Sequence, residues 1–154
     1  MQTPRPAPDL VIHVPGQPDL HLSRFKGKVV LLALLGTGCE SCQHFALNQL
    51  APLQKQYGAR GLQVVAVVFN DEAKATFEKF RSQFVRGFPL GYSDEESVLG
   101  WLRQPVEEGY FTPIIAFIDR RGNIASQHLG DDMLFQDPDK NIRMRLETLL
   151  KLPA

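Results

Sequence analysis

The chain of 154 residues contains two cysteines, and they stand three apart, in Cys39-Glu40-Ser41-Cys42. An apolar run, Val29-Val30-Leu31-Leu32-Ala33-Leu34-Leu35, and a short Gly36-Thr37-Gly38 turn precede them, and a helical pattern from Gln43 to Tyr57 follows. This order predicts a strand that delivers the pair to a helix N-terminus. The free N–H groups and the positive dipole end of a helix stabilise a thiolate there. Two intervening residues let the sulfurs bridge and separate with little backbone movement. The spacing points to a redox-active dithiol. A purely structural bridge would close a very small loop and stabilise little. A zinc site needs four ligands at recognisable spacings, and His13, His21, His44 and His128 form no matching pair.

The intervening residues tune that chemistry. Glu40 sets a negative charge beside the Cys39 thiolate, against the helix dipole. A less stabilised thiolate makes a less oxidising couple. The expectation is a reductant or disulfide exchanger rather than a strong oxidase, with a small effect if Glu40 faces water.

The elements that must position the pair alternate along the chain. Leu10 to Val14 reads as a short strand, Pro15-Gly16-Gln17-Pro18 as its turn, and Leu20-His21-Leu22 as its partner. The continuous apolar run 29–35 fits a central strand buried on both faces. The first long helix carries Cys42, Phe45, Ala46, Leu50, Leu53 and Tyr57 at helical period, with Pro52 expected to kink it and Gly58 and Gly61 to end it. Leu62 to Phe69 is a third strand. Asn70 is placed to cap the next helix, with Asp71 and Glu72 in its first turn and Ala73, Phe77, Phe80 and Phe84 as its buried stripe. Phe88 to Tyr92 reads as extended and Ser97 to Leu102 as one or two helical turns. Ile114 to Ile118 and Asn123 to His128 form a hairpin about Asp119-Arg120-Arg121-Gly122. An amphipathic helix over 139–152 closes the chain, with Ile142, Leu146, Leu149 and Leu150 inward. The sum is a mixed-sheet α/β fold in one domain, residues 9–154, behind a flexible, proline-rich tail over 1–8.

Composition agrees with a small globular domain: 44% hydrophobic, 22% charged and zero formal net charge. Nothing in that balance favours nucleic acid or an anionic membrane surface. No apolar run approaches the roughly 20 residues of a transmembrane helix, and no secretory signal is read at the start.

On these residues the chain resembles the thioredoxin fold, and within it the TlpA/ResA-like thiol–disulfide oxidoreductases and related redoxin-type domains. Four features carry the resemblance: Lys26-Gly27-Lys28 leading into Val29 to Leu32; the Cys39–Cys42 pair; Thr112-Pro113 before Ile114 to Asp119; and the Arg121-Gly122-Asn123-Ile124 turn. The resemblance implies a thioredoxin-like central mixed sheet flanked by helices, with the N-terminal β-hairpin as an extension. It implies that Cys39 is the exposed nucleophile and that Cys42, one turn deeper, resolves the mixed disulfide. Pro113 is then expected in cis beside the pair, with Gly38, Glu40, Ser41 and Thr112 supporting the site and the Thr112 backbone pairing with an extended substrate. The expected partners are disulfide-containing protein substrates and an upstream thiol electron donor. The protein is expected to act as a monomer without cofactor or metal, in the cell envelope or periplasm of a bacterium.

The departures from the family pattern are informative. Gly38 stands where many members carry Trp. Ala33 stands where cytoplasmic thioredoxins carry a buried acid, which removes one proton acceptor for Cys42. Asp71 occupies a position resembling a carboxylate of some extracytoplasmic members, so it is a candidate base, although a helix start also explains it. His44 is expected to face solvent or pack. Two further readings share the fold. A peroxiredoxin-type peroxidase would show Pro and Thr where this chain has Leu32 and Gly36. A copper-binding module would place three residues between the cysteines and add a distal His, for which His128 is a conceivable third ligand.

Overall fold

The computed structural model describes residues 3–154. In chain order the strands are β1 (Arg5–Pro6), β2 (Val11–Ile12), β3 (Leu20–His21), β4 (Val29–Leu35), β5 (Leu62–Val68), β6 (Leu90–Tyr92), β7 (Ile114–Ile118) and β8 (Asn123–His128). The helices are α1 (Glu40–Phe45), α2 (Ala51–Tyr57), α3 (Phe77–Phe84), α4 (Glu95–Leu102) and α5 (Pro138–Lys151). Six strands form one sheet in the order β1-β8-β7-β4-β5-β6, and β2 pairs with β3 apart from it. β4, β5 and β6 run parallel, whereas β7, β8 and β1 add on antiparallel.

β4 lies at the centre because it can be buried on both faces. Val29, Leu31, Ala33 and Leu35 pack against α1, α2, α3 and α5. Val30, Leu32 and Leu34 pack on the other face with α4 and the N-terminal residues Leu10, Ile12 and Leu22. All seven side chains are buried, which a run with no polar alternation predicts for a central strand. β5 repeats the pattern beside it, pairing Val29 with Leu62 through to Leu35 with Val68. Parallel β4 and β5 need a crossover, and the helical segment 40–57 supplies it.

That crossover differs from an ordinary kinked helix. A π turn, Ala46–Leu50, joins α1 to α2, and the Ala51 N–H donates to the Ala46 carbonyl. Pro52 follows it at the start of α2, and the π turn absorbs the backbone hydrogen bond that the proline nitrogen cannot make. Gly61 ends the segment in the left-handed region at φ 110°, and a Cβ there would stand 2.6 Å from an Arg120 guanidinium nitrogen.

Two expectations change. Residues 5–8 are not a free tail: β1 covers the edge of β8, the Ala7 N–H donates to the Gly122 carbonyl, and the Trp101 indole N–H donates to the Pro8 carbonyl at 2.7 Å. Arg5 is buried and donates from Nη2 to the Trp101 carbonyl and to Gln127. An open edge strand gains by being covered, but a two-residue strand containing Arg and Pro carries no hydropathy signal. Residues 1 and 2 of that expected tail lie outside the described residues. The second change is at α3, which begins at Phe77 rather than beside Asn70, because the Asn70 side chain is engaged elsewhere. Phe77 and Phe80 still face the core, and Phe84 packs at its margin.

Candidate active site

β4 ends at Leu35, and the chain turns through Gly36, Thr37 and Gly38 into α1. Thr37 is buried and all of its polar groups are engaged. Its N–H donates to Asn70 Oδ1 at 3.0 Å, its hydroxyl accepts from Asn70 Nδ2 at 2.8 Å, and its carbonyl accepts from Gln43 Nε2 at 3.0 Å. The Thr76 hydroxyl lies 2.8 Å from the Thr37 hydroxyl. Asn70 thus locks the turn before the cysteines instead of capping a helix. Short polar side chains compete for local backbone groups, and here a non-local backbone group wins.

Cys39 and Cys42 form a disulfide, with Cα atoms 5.1 Å apart. Cys39 has extended backbone, φ −85° and ψ 108°, and is itself the N-cap of α1: its Sγ accepts from the Cys42 N–H at 3.2 Å. Sulfur does here what a Ser or Asp oxygen does at ordinary N-caps. Cys42 is fully buried, whereas Cys39 is half-buried. The two sulfurs therefore differ in access.

The loop before β7 completes the site. The Thr112–Pro113 peptide is cis, and Pro113 is buried. The Thr112 hydroxyl donates to Cys39 Sγ at 3.2 Å. The Ser41 hydroxyl lies 3.3 Å from Cys39 Sγ and 3.4 Å from the Thr112 carbonyl oxygen. That carbonyl is 3.8 Å from Cys39 Sγ, a contact rather than a hydrogen bond while the sulfur is in a disulfide and carries no proton. Among the described residues no backbone group pairs with the Thr112 N–H or carbonyl, whereas the neighbouring Phe111 carbonyl accepts from the Gly130 N–H at 2.8 Å. Phe111 itself is 67% exposed.

The remaining predicted residues make no hydrogen bond to either sulfur. Gly38 is exposed, with no described atom within 4 Å of where its Cβ would stand. The Glu40 side chain is 87% exposed, 3.8 Å from His44 Nε2, and both face solvent. Asp71 is exposed in the turn after β5 and is bonded to neither sulfur. It does act on Tyr110. Burial, the 2.5 Å hydrogen bond to Glu95 and then the charges of Glu95 and Asp71 push the Tyr110 hydroxyl up to about 12. His128 is buried with Nδ1 3.1 Å from Asp132 and Nε2 2.9 Å from the Ser126 hydroxyl, so both ring nitrogens are already engaged. Among the described residues no three His, Cys, Asp or Glu side chains gather as a metal site, and no helix is long and apolar enough to cross a membrane.

Thr37, Gln43, Asn70 and Thr76 were not legible as site residues. The one signal was Asn70 at the end of an apolar strand, which a helix cap explains equally well.

Comparison with known proteins agrees with this geometry. The Redoxin family model matches residues 3–141. The chain is 33% identical over 95 residues to the thiol-disulfide oxidoreductase ResA of Geobacillus kaustophilus, and 32% identical over 95 residues to that of Geobacillus thermodenitrificans. Each match covers 60% of this chain and 52% of the relative, so the chain spans about half the length of the curated relatives it matches. Among solved structures, it superposes on a Chlorobium tepidum protein described as the thiol:disulfide interchange protein DsbE with a TM-score of 0.76 and 24% identity, covering 97% of this chain and 99% of that one. The thioredoxin domain of a Bacteroides vulgatus thiol-disulfide oxidoreductase gives 0.64 and 21% identity, covering 88% and 95%. These structures establish the thioredoxin-like fold. With its helix-capping Cys39–Cys42 pair beside Thr112-Pro113, the chain belongs to the Redoxin family and is a ResA-like, thioredoxin-fold member of it.

Proposed function

We propose that the protein is a thiol–disulfide oxidoreductase that reduces or exchanges disulfides of protein substrates through a mixed disulfide on Cys39. One observation carries the reading: a half-buried sulfur with three hydrogen-bond donors around it stands beside a backbone segment, Thr112, with no backbone partner of its own. The donors prepare Cys39 to exist as a thiolate. The free backbone can pair with an extended substrate and bring its disulfide to that sulfur.

The Cys39 thiolate attacks one sulfur of the substrate disulfide, and the other substrate sulfur leaves as a thiolate. Cys42 loses its proton and attacks Cys39 Sγ, which releases the second substrate thiolate and leaves the Cys39–Cys42 disulfide. An external dithiol then returns the pair to its reduced form by the same exchange in reverse. Ala33 offers no buried acid for the Cys42 proton, and Asp71 is bonded to neither sulfur, so this reading assigns Asp71 no proton transfer. The resemblance to ResA and DsbE supports work outside the cytoplasm, in a bacterial cell envelope.

The test is equilibration of the Cys39–Cys42 couple against glutathione, together with reduction of insulin. A reversible couple and catalysed insulin reduction are expected, both lost in Cys39→Ser. Cys42→Ser should accumulate a mixed disulfide with the substrate. Absence of a reversible couple would overturn the reading, and peroxide consumption without disulfide exchange would replace it with the peroxidase.

A further inference from the structure

The Ser41 hydroxyl has one proton and two acceptors within reach, Cys39 Sγ at 3.3 Å and the Thr112 carbonyl oxygen at 3.4 Å. Which acceptor it serves depends on the redox state. In the disulfide Cys39 Sγ is neutral and a weak acceptor, whereas a backbone carbonyl is a strong one. The proton then belongs to Thr112. When Cys39 is a thiolate the hydrogen bond to sulfur becomes charge-assisted, roughly twice as strong as a neutral one, and the proton turns to sulfur. The exchange needs only rotation of an exposed hydroxyl. The other two donors on the sulfur have no such alternative at the site. The Cys42 N–H is fixed by the helix, and the Thr112 hydroxyl donates only to Sγ.

We infer that Ser41 couples the redox state of Cys39 to the availability of the Thr112 carbonyl. When Cys39 is a thiolate both lone pairs of the carbonyl are open to a substrate N–H; in the oxidised protein the Ser41 hydroxyl holds one of them. The reduced form therefore holds an extended peptide more tightly, and completion of the reaction loosens the product. Ser41 is a positioning residue in this scheme: it acts through Thr112. The inference rests on the proposed docking of substrate at the Thr112 backbone.

One net hydrogen bond sets the scale, about two- to tenfold in affinity. Linkage makes the effect reciprocal. A peptide that prefers the reduced form stabilises that form and raises the reduction potential, by about 30 mV for a tenfold preference.

The probe is the insulin B chain with its cysteines carboxymethylated, which is extended and cannot exchange. Its dissociation constant is measured by calorimetry on the reduced and oxidised forms of the wild type, Ser41→Ala and Ser41→Thr. The wild type should bind two- to tenfold more tightly when reduced, as set by one net hydrogen bond. In Ser41→Ala the oxidised form should rise to the affinity of the reduced form and the preference should vanish. Ser41→Thr, which keeps the hydroxyl, should restore it. Equal binding to both wild-type forms, binding to neither, or a preference that survives in Ser41→Ala would overturn the inference. Insulin reduction and the glutathione couple, measured on the same preparations, separate the two levels. If both persist, the gating alone is wrong; if both are lost, the function proposed above falls with it.

Discussion

Two serine hydroxyls in this molecule sit in opposite situations. Ser41 is exposed and holds two long contacts that compete for one proton. Ser126, on β8, is half-buried and committed. Its hydroxyl is 2.9 Å from His128 Nε2, while Arg145 Nη1 approaches its oxygen at 3.4 Å. The Asp132 carboxylate can only accept, so His128 Nδ1 carries the proton toward it and Nε2 accepts from Ser126. Asp132 in turn accepts from the Leu134 N–H at 2.8 Å. Every proton in that chain has one place to go. Chemistry is sited where a proton has a choice, and packing where it has none.

The comparison breaks most visibly at His128. His128→Ala removes two hydrogen bonds and opens a cavity beside Phe117, whose ring meets the imidazole edge-on. A loss of about 2–4 kcal/mol in unfolding free energy is expected, with the glutathione couple unchanged. Chemical denaturation checks it, and a large change in potential with little loss of stability would erase the distinction. The same residue predicts a pH dependence. Burial holds the His128 pKa below its ordinary 6.5, against the opposing pull of Asp132 and with a further lowering by Arg145. The unfolded chain therefore binds the proton first as pH falls. The contribution is full above pH 6.5 and is lost as pH drops through the folded value. His128→Gln should flatten that part of the stability profile. Asp132, also held low on balance by Leu134, His128 and Arg145 despite its burial, adds a separate loss only below its ordinary 3.8.

A smaller effect, on reactivity instead of stability, is expected at the redox site. Thr112→Val keeps the backbone and the shape but deletes one donor to Cys39 Sγ. The thiolate titration, followed by its ultraviolet absorbance, should move to higher pH. Alkylation of Cys39 at neutral pH should slow by only about threefold, because a more basic thiolate is also a better nucleophile. Unfolding free energy should change by less than about 0.5 kcal/mol, the usual range away from buried features. Equal damage to stability here and at His128 would mean that the two regions are built alike.

The sequence disclosed these regions unevenly. Continuous apolar runs announced β4 and β5, and helical periodicity announced the crossover and α5, because burial on both faces or along one stripe leaves a pattern in hydropathy. The cysteine pair and its helix were legible because the chemistry restricts residue types at fixed spacing, whereas Thr112-Pro113 stood out only through the family resemblance. The Thr37–Asn70 lock and the Arg5 strand were not. Both join residues far apart in the chain through polar atoms, and hydropathy carries no record of a hydrogen bond. Asn70 shows the difficulty: the local rule for a cap and the long-range bond to Thr37 ask for the same side chain. The π turn before Pro52 is visible in the sequence only as an expected kink, since the proline shows that one backbone bond is lost but not how the helix absorbs the loss.

Glu40 tests the smallest effect in the comparison. It is the nearest formal charge in sequence to the reactive sulfur, which led to the expectation of a reducing couple. Its side chain, however, is 87% exposed and 3.8 Å from His44, so water and salt weaken its field at Cys39. Thr112 donates to the same sulfur from 3.2 Å, and Ser41, 3.3 Å away, joins it once the sulfur is a thiolate, by directed hydrogen bonds that salt does not screen. Glu40→Gln should therefore make the couple only slightly more oxidising, by about 10 mV, corresponding to about a twofold change in the equilibrium constant. Most of that change should disappear as ionic strength rises toward 1 M, where the Debye length falls to about 3 Å. His44→Gln in the same background should add nothing further. A large, salt-resistant shift in Glu40→Gln would mean that the carboxylate turns onto the sulfur once the disulfide opens, and would place Glu40 beside Ser41 among the groups that respond to the redox state of Cys39.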